Sequence, residues 1–315
     1  MNAGRRARGA VGAILLTLVL AAVSTAAYLL RDPLPRFLER RGAVAAVAAA
    51  APASEGGYSL RPVRVTATTG LSVDLVVRRW EGDGARRLPL AVVLGGHYRG
   101  SDAARLLGDT RGVEVAALSY PFAGDPRPDA MTFVRQIPRI RAAFLDTPPA
   151  VMLGLDYLLG RGDVDTSQVE AVGVSLGAPF MTIAGAIDPR FTRVWAIHGS
   201  GGSFAPLEAN MRRAIPIAPL RVAVAALANL VIAGPRLDPM RWAPLVSPRP
   251  FMMVNAENDE RLPREAVDAL YASARQPKEL IWMSGRHVHG DTETIRRLVA
   301  IVVARMNPTI LPAGR

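Results

Sequence analysis

The stretch AVGVSLGAPF, residues 171–180, decides how this chain is read. It sets Ser175 between Gly173 and Gly177, directly after the apolar run VEAVGV (169–174), and opens into an apolar segment that reads as helix from Leu176 to about Ile187. Alone, G-x-S-x-G is a Gly/Ser turn. Between an apolar strand and a helix it has the context of a nucleophile elbow. The serine must then stand at a strained corner, and its neighbours must lack bulk so that the chains can approach. Gly173 and Gly177 meet that need, and Ala178 keeps the next turn small. The helix N-terminus brings free N–H groups and a positive dipole end to the hydroxyl.

A serine hydroxyl is a poor nucleophile without a base, and the base needs an orienting carboxylate. Behind such an elbow the chain order is Ser, acid, His. Downstream there are three histidines, His198, His287 and His289. His287 lies in MSGRHVHG (283–290), after the last expected strand and before the final helix, and its Gly285-Arg286-His287 lead favours it over His289. His289 reads as a solvent-facing loop residue, and His198, at a strand end, as a satisfied core or loop histidine. For the acid, VNAENDERLP (254–263) holds Glu257, Asp259 and Glu260. Asp259, four residues before the helix-opening Pro263, is the best placed. Glu257 and Glu260 read as solvated charges, with Glu257 the substitute if the turn falls differently. An oxyanion hole needs two donors. One is the N–H of Leu176; the other comes from LGGHYRG (94–100), through Gly96 or His97.

Around this centre, strand-like and helix-like segments alternate, the pattern of an α/β fold with a largely parallel sheet. VRVTAT (63–68) and LSVDLVVRRW (71–80) read as a hairpin. Further strands are expected at 88–96, 113–120, 169–174, 192–199, 250–256 and 278–285, and helices at 131–146, 150–161, 176–187 and 292–306. The folded domain is placed at 58–308 and a short tail at 309–315. Its alternation breaks at about 204–248, where IPIAPLRVAVAALANLVIAGP (215–235) is apolar apart from Arg221 and Asn229. A helical cap over the carboxyl edge of the sheet explains this insertion; a membrane-contacting segment is the alternative.

The 315 residues include no cysteine, which excludes disulfides and thiolate metal sites. The formal net charge of +11 is uneven, because residues 1–41 hold seven arginines against Asp32 and Glu39. No basic stripe interleaved with aromatics and no nucleic-acid module is recognisable, so nucleic acid is not an expected partner. Arg5, Arg6 and Arg8 precede the uncharged run from Gly9 to Leu30, which as a helix would span about 33 Å. Residues 1–30 therefore read as an anchor with the arginines on the cytoplasmic side and the catalytic domain extracytoplasmic. Cleavage near Ser24-Thr25-Ala26, leaving a secreted or periplasmic protein, is the alternative. Residues 31–57, alanine-rich and closed by Gly, Pro and Ser, read as a tether.

With these residues assembled, the chain resembles the α/β-hydrolase superfamily, particularly its dienelactone-hydrolase-like and prolyl-oligopeptidase-like esterase branches. The resemblance rests on GDVDTSQVEAVGVSLGAPF (162–180), the D-x-x-hydrophobic-Pro at 259–263 and Gly-x-His-Val at 285–288, and covers about residues 60–308. Gly-Gly-His at 95–97 departs from the commoner His-Gly, and the cap matches no branch. The resemblance implies a serine hydrolase that cleaves a carboxylic ester or related acyl compound through Ser175, His287 and Asp259, with no metal or organic cofactor. Its substrate would be small or lipid-like. Acyl transfer on the same triad and a non-catalytic binding role at the membrane are the alternatives.

Overall fold

A computed structural model describes residues 31–96, 102–125, 129–288 and 291–307, with interspersed positions between Leu16 and Tyr28. Among the described residues ten strands form one sheet: β1 (Val44–Ala49), β2 (Ala53–Glu55), β3 (Tyr58–Ala67), β4 (Ser72–Trp80), β5 (Leu88–Leu94), β6 (Glu114–Leu118), β7 (Val164–Val174), β8 (Arg193–Ile197), β9 (Phe251–Ala256) and β10 (Lys278–Met283). Their order is β1-β3-β4-β6-β5-β7-β8-β9-β10, with β2 on β3. The first four strands and β6 pair antiparallel; from β6 to β10 all pairs are parallel.

Register gathers the strand ends. Leu94 pairs with Gly173, Val174 with Ile197, Ile197 with Val254 and Ala256 with Met283. The loops leaving β5, β7, β8, β9 and β10 therefore emerge along one edge, the carboxyl edge where open α/β sheets bind ligands.

Alternation along each strand splits the core. On one face Leu90, Val92, Leu94, Ala171 and Val194 pack with α3 (Ala130–Gly160) and α4 (Gly177–Ile187). On the other face Ala91, Val93, Val172 and Trp195 meet α8 (Thr292–Met306), beside the short helix α2 (Ala103–Leu106). Two further helices, α5 (Phe204–Met211) and α6 (Ala218–Val231), precede three 3-10 turns between 234 and 245, so the insertion expected at 204–248 is helical. α7 (Arg264–Ser273) joins β9 to β10.

Two expectations change. The stretch 31–57 is built into the domain: α1 (Leu34–Arg41) buries Phe37 completely, and β1 and β2 extend the sheet through β3. Arg40 Nε donates to Asp146 at 3.0 Å and Arg41 Nε to Asp156 at 2.8 Å, pinning α1 to α3. Alanine-rich composition conceals this because edge pairing uses backbone groups. Second, the helices expected at 131–146 and 150–161 are one helix, despite Pro138, Pro148 and Pro149 inside it. Each internal proline costs about 3 kcal/mol, offset where Ala150–Leu155 bury their apolar side chains in the core. No single helix among the described residues is long and apolar enough to cross a membrane. Most of the segment expected as an anchor, like the 309–315 tail, lies outside the described residues. The 14 residues of α6 reach about 21 Å, short of a hydrocarbon core of about 30 Å.

Candidate active site

Ser175 stands where β7 turns into α4, with a left-handed backbone (φ 54°) that few non-glycine residues adopt. Its N–H donates to Ile197 O at 2.8 Å, and its carbonyl accepts from Ala178 N–H at 3.0 Å. The flanking glycines are sterically required. A Cβ on Gly177 would lie 2.0 Å from Leu94 O, and one on Gly173 would lie 2.6 Å from Gly177 O. The elbow thus presses directly on the end of β5.

The hydroxyl meets a continuous chain of hydrogen bonds. Ser175 Oγ and His287 Nε2 are 2.8 Å apart, and His287 Nδ1 lies 2.7 Å from Asp259 Oδ2. Asp259 Oδ1 accepts the N–H groups of Arg261 (2.9 Å) and Leu262 (3.0 Å), which fixes the carboxylate plane. Burial pushes the Asp259 carboxyl up, but hydrogen bonds from His198 and His287, with the latter's charge, hold it well below the usual carboxylate range. Burial lowers the His287 imidazole below its ordinary value, and Asp259 only partly opposes this. A neutral imidazole beside an ionised carboxylate is the state a general base requires.

Two contacts of this chain were not legible in the sequence. His198, at the end of β8, is buried and donates from Nδ1 to the same Asp259 Oδ2, 3.1 Å away; its ring stands edge-on to His287 with centroids 4.8 Å apart. The signal was its position at a strand end next to Gly199, too common a pattern to single out. Glu260, exposed as expected, also accepts the His287 N–H at 3.2 Å and so holds the backbone that carries the imidazole. Glu257 is exposed as expected. His289 and His97 lie outside the described residues.

His198, Asp259 and His287 bring their ligand atoms within 4.8 Å of one another, a composition that can hold a metal ion. Here both Nδ1 atoms address one carboxylate oxygen and His287 Nε2 addresses Ser175, so the donors face one another instead of a common central point.

Leu176 caps the N-terminus of α4, where first-turn N–H groups have no partner within the helix. Gly95 and Gly96 follow β5 beside it, and Tyr120 donates its hydroxyl proton to Gly95 O at 2.7 Å. Gly96, Leu176 and Ser175 border one cavity of about 430 Å³ that extends into the α8 side of the sheet. A void of that size in a sealed core would cost on the order of 10 kcal/mol, comparable to the whole stability of a domain.

Asn210 Nδ2 of α5 donates to Arg261 O at 3.1 Å, tying the helical insertion to the loop that carries Asp259.

No family model and no curated protein matches the chain. Solved structures do. The chain is similar to acetyl xylan esterase 1 from Thermoanaerobacterium sp. JW/SL YS485, with a TM-score of 0.61 and 12% identity over 88% of this chain and 94% of that one. The fold is that of the α/β hydrolases. An acetyl xylan esterase from Paenibacillus sp. R4 gives a TM-score of 0.59 at 16% identity, covering 85% of this chain and 92% of the other. A cold-adapted esterase from an Arctic intertidal metagenomic library gives 0.54 at 16% identity, covering 81% and 97%. At such identities the likeness establishes architecture, and the chemistry of this α/β hydrolase fold has to be argued from its own residues.

Proposed function

We propose that the protein is a carboxylic ester hydrolase working through Ser175, His287 and Asp259. The observation that carries this reading is the unbroken hydrogen-bond chain from the Ser175 hydroxyl to Asp259 at the carboxyl edge of the sheet. Ser175 Oγ attacks the acyl carbon as His287 Nε2 takes its proton. The tetrahedral oxyanion accepts the Leu176 N–H and a second donor from the loop after β5, at Gly96 or His97. His287 then protonates the departing alcohol, and Asp259 holds the tautomer and stabilises the imidazolium. Water, deprotonated by His287, releases the acid from the acyl-enzyme. That similar solved structures are named as esterases supports the choice of an ester.

A short-chain fluorophosphonate, followed by intact mass, tests the reading. One adduct is expected on the parent and none on Ser175→Ala, whose kcat on a reactive ester falls by about 10⁴–10⁶. Absence of an adduct on folded parent protein sinks it.

The same reading anchors residues 9–30 in a membrane, with the catalytic domain extracytoplasmic. The arginines before this apolar run and the exposed apolar side chains Ile217, Leu220 and Leu227 of the insertion support the assignment. Intact mass of the native protein should retain the N-terminus; loss of the first 26 residues would replace the anchor by a cleaved signal.

A further inference from the structure

Where β5 and β7 face α8, their side chains are small. Ala91 and Val93 of β5 and Val172 of β7 face Leu298 and Val302 of α8 across the 430 Å³ cavity, with Leu106 of α2 closing one flank. The cavity begins at Ser175 and Leu176 and runs along the sheet. Its buried polar side chain, Thr110, accepts at its hydroxyl from Arg78 Nη1, and its charged residue, Arg261, is exposed. The lining therefore offers an entering group aliphatic contact and almost no hydrogen bond. A sugar, a carboxylate or an amide placed there would lose its water without replacement, and an acetyl group would leave most of the space empty.

We infer that the cavity is an acyl-chain site, and that the substrate is an ester of a medium-length aliphatic acid. The inference rests on the serine-hydrolase reading above and specifies its substrate class. An apolar cavity of about 150 Å³ accommodates benzene, so 430 Å³ has room for a chain of roughly ten carbons. With the carbonyl at Ser175 Oγ, the alkyl chain descends between the sheet and α8 while the alcohol leaves toward the outer side of the carboxyl edge. Because the walls come from packed strands and a helix, the site is largely formed before the chain enters, which limits the ordering cost of binding.

The test is a series of p-nitrophenyl esters from acetate to dodecanoate on the full chain, Ala91→Phe and Val302→Trp. These two variants fill the cavity from opposite walls, so misfolding of one leaves the other informative. For the parent, kcat/KM rises about fourfold per methylene until the cavity is full. In either filled variant the ratio of decanoate to acetate activity falls at least tenfold. Ser175→Ala, unable to turn over, binds decanoate in calorimetry, and the filled variants weaken that binding. A parent that forms the fluorophosphonate adduct yet prefers acetate, or folded variants with an unchanged ratio, overturns the chain site and leaves the serine hydrolase standing. Absence of both adduct and ester turnover removes the serine reading and the chain site with it.

Discussion

Ser175 and His198 occupy equivalent corners on neighbouring strands, and they differ in how the corner is held. Both are non-glycine residues with left-handed backbones, φ 54° and 47°, just past Val174 and Ile197, which pair with each other. Such conformations cost on the order of 1–3 kcal/mol and persist only where the surroundings impose them. At Ser175 colliding main chains impose it, and two glycines mark the place in the sequence. At His198 the corner is held by the bond from its N–H to Val254 O (2.7 Å) and the contact of its ring with Asp259 (3.1 Å). Backbone crowding leaves a residue pattern, whereas a side chain locked by a distant partner leaves none.

The largest contrast between the corners should appear in turnover. Ser175→Ala removes the proposed nucleophile and should lower kcat by about 10⁴–10⁶. His198→Asn, which tolerates the left-handed backbone, should stay within about tenfold of the parent at neutral pH. Steady-state kinetics at saturating ester decides; equal losses would make His198 part of the reacting machinery and erase the distinction.

Stability should separate the two glycines next. A Cβ at Gly177 meets the Leu94 backbone oxygen at 2.0 Å, while one at Gly199 meets mainly the Ala196 side chain at 2.9 Å. Gly177→Ala is expected to cost about 3 kcal/mol or more and Gly199→Ala about 1 kcal/mol, read by chemical denaturation. Similar costs would show that the elbow is not the more tightly constrained corner.

The smallest expected effect is on pH dependence. His287 is held below its ordinary value of about 6.5 by burial, and His198 adds to that depression. Its neutral form is the proposed base, so the acid limb of kcat/KM should lie below pH 6.5. His198→Asn should move that limb upward, and a downward or absent shift would deny His198 any electrostatic role. The stability sign follows from the same direction. The unfolded chain binds the proton more readily than the native one, so stability rises with pH between the native His287 value and about 6.5. Removing His198 narrows that window.

The legible and illegible parts of the site follow the same division. Gly173-Val174-Ser175-Leu176-Gly177, Asp259 before Pro263 and Gly285-Arg286-His287 each sit at a strand end, and the structure brings Ser175, His287 and Asp259 into one chain of hydrogen bonds. Local sequence carried them because turns and strand periods are short-range. Glu260 is exposed as read, but its bond to the N–H of a residue 27 positions away left no local sign. The tether at 31–57 misread for a related reason. Phe37 and the Arg40 and Arg41 pairs with Asp146 and Asp156 span more than a hundred residues, and no local pattern reports them.

By itself the sequence determined the alternation of strands and helices, the strained serine corner and the order of its partners, because each depends on neighbours within a turn or a strand. The tertiary structure alone decided that His198 shares the Asp259 carboxylate and that one helix runs through three prolines. It also decided that small side chains of β5 and β7, facing α8, border a cavity of 430 Å³ against Ser175. Those features are sums over residues far apart in the chain, and only packing adds them up.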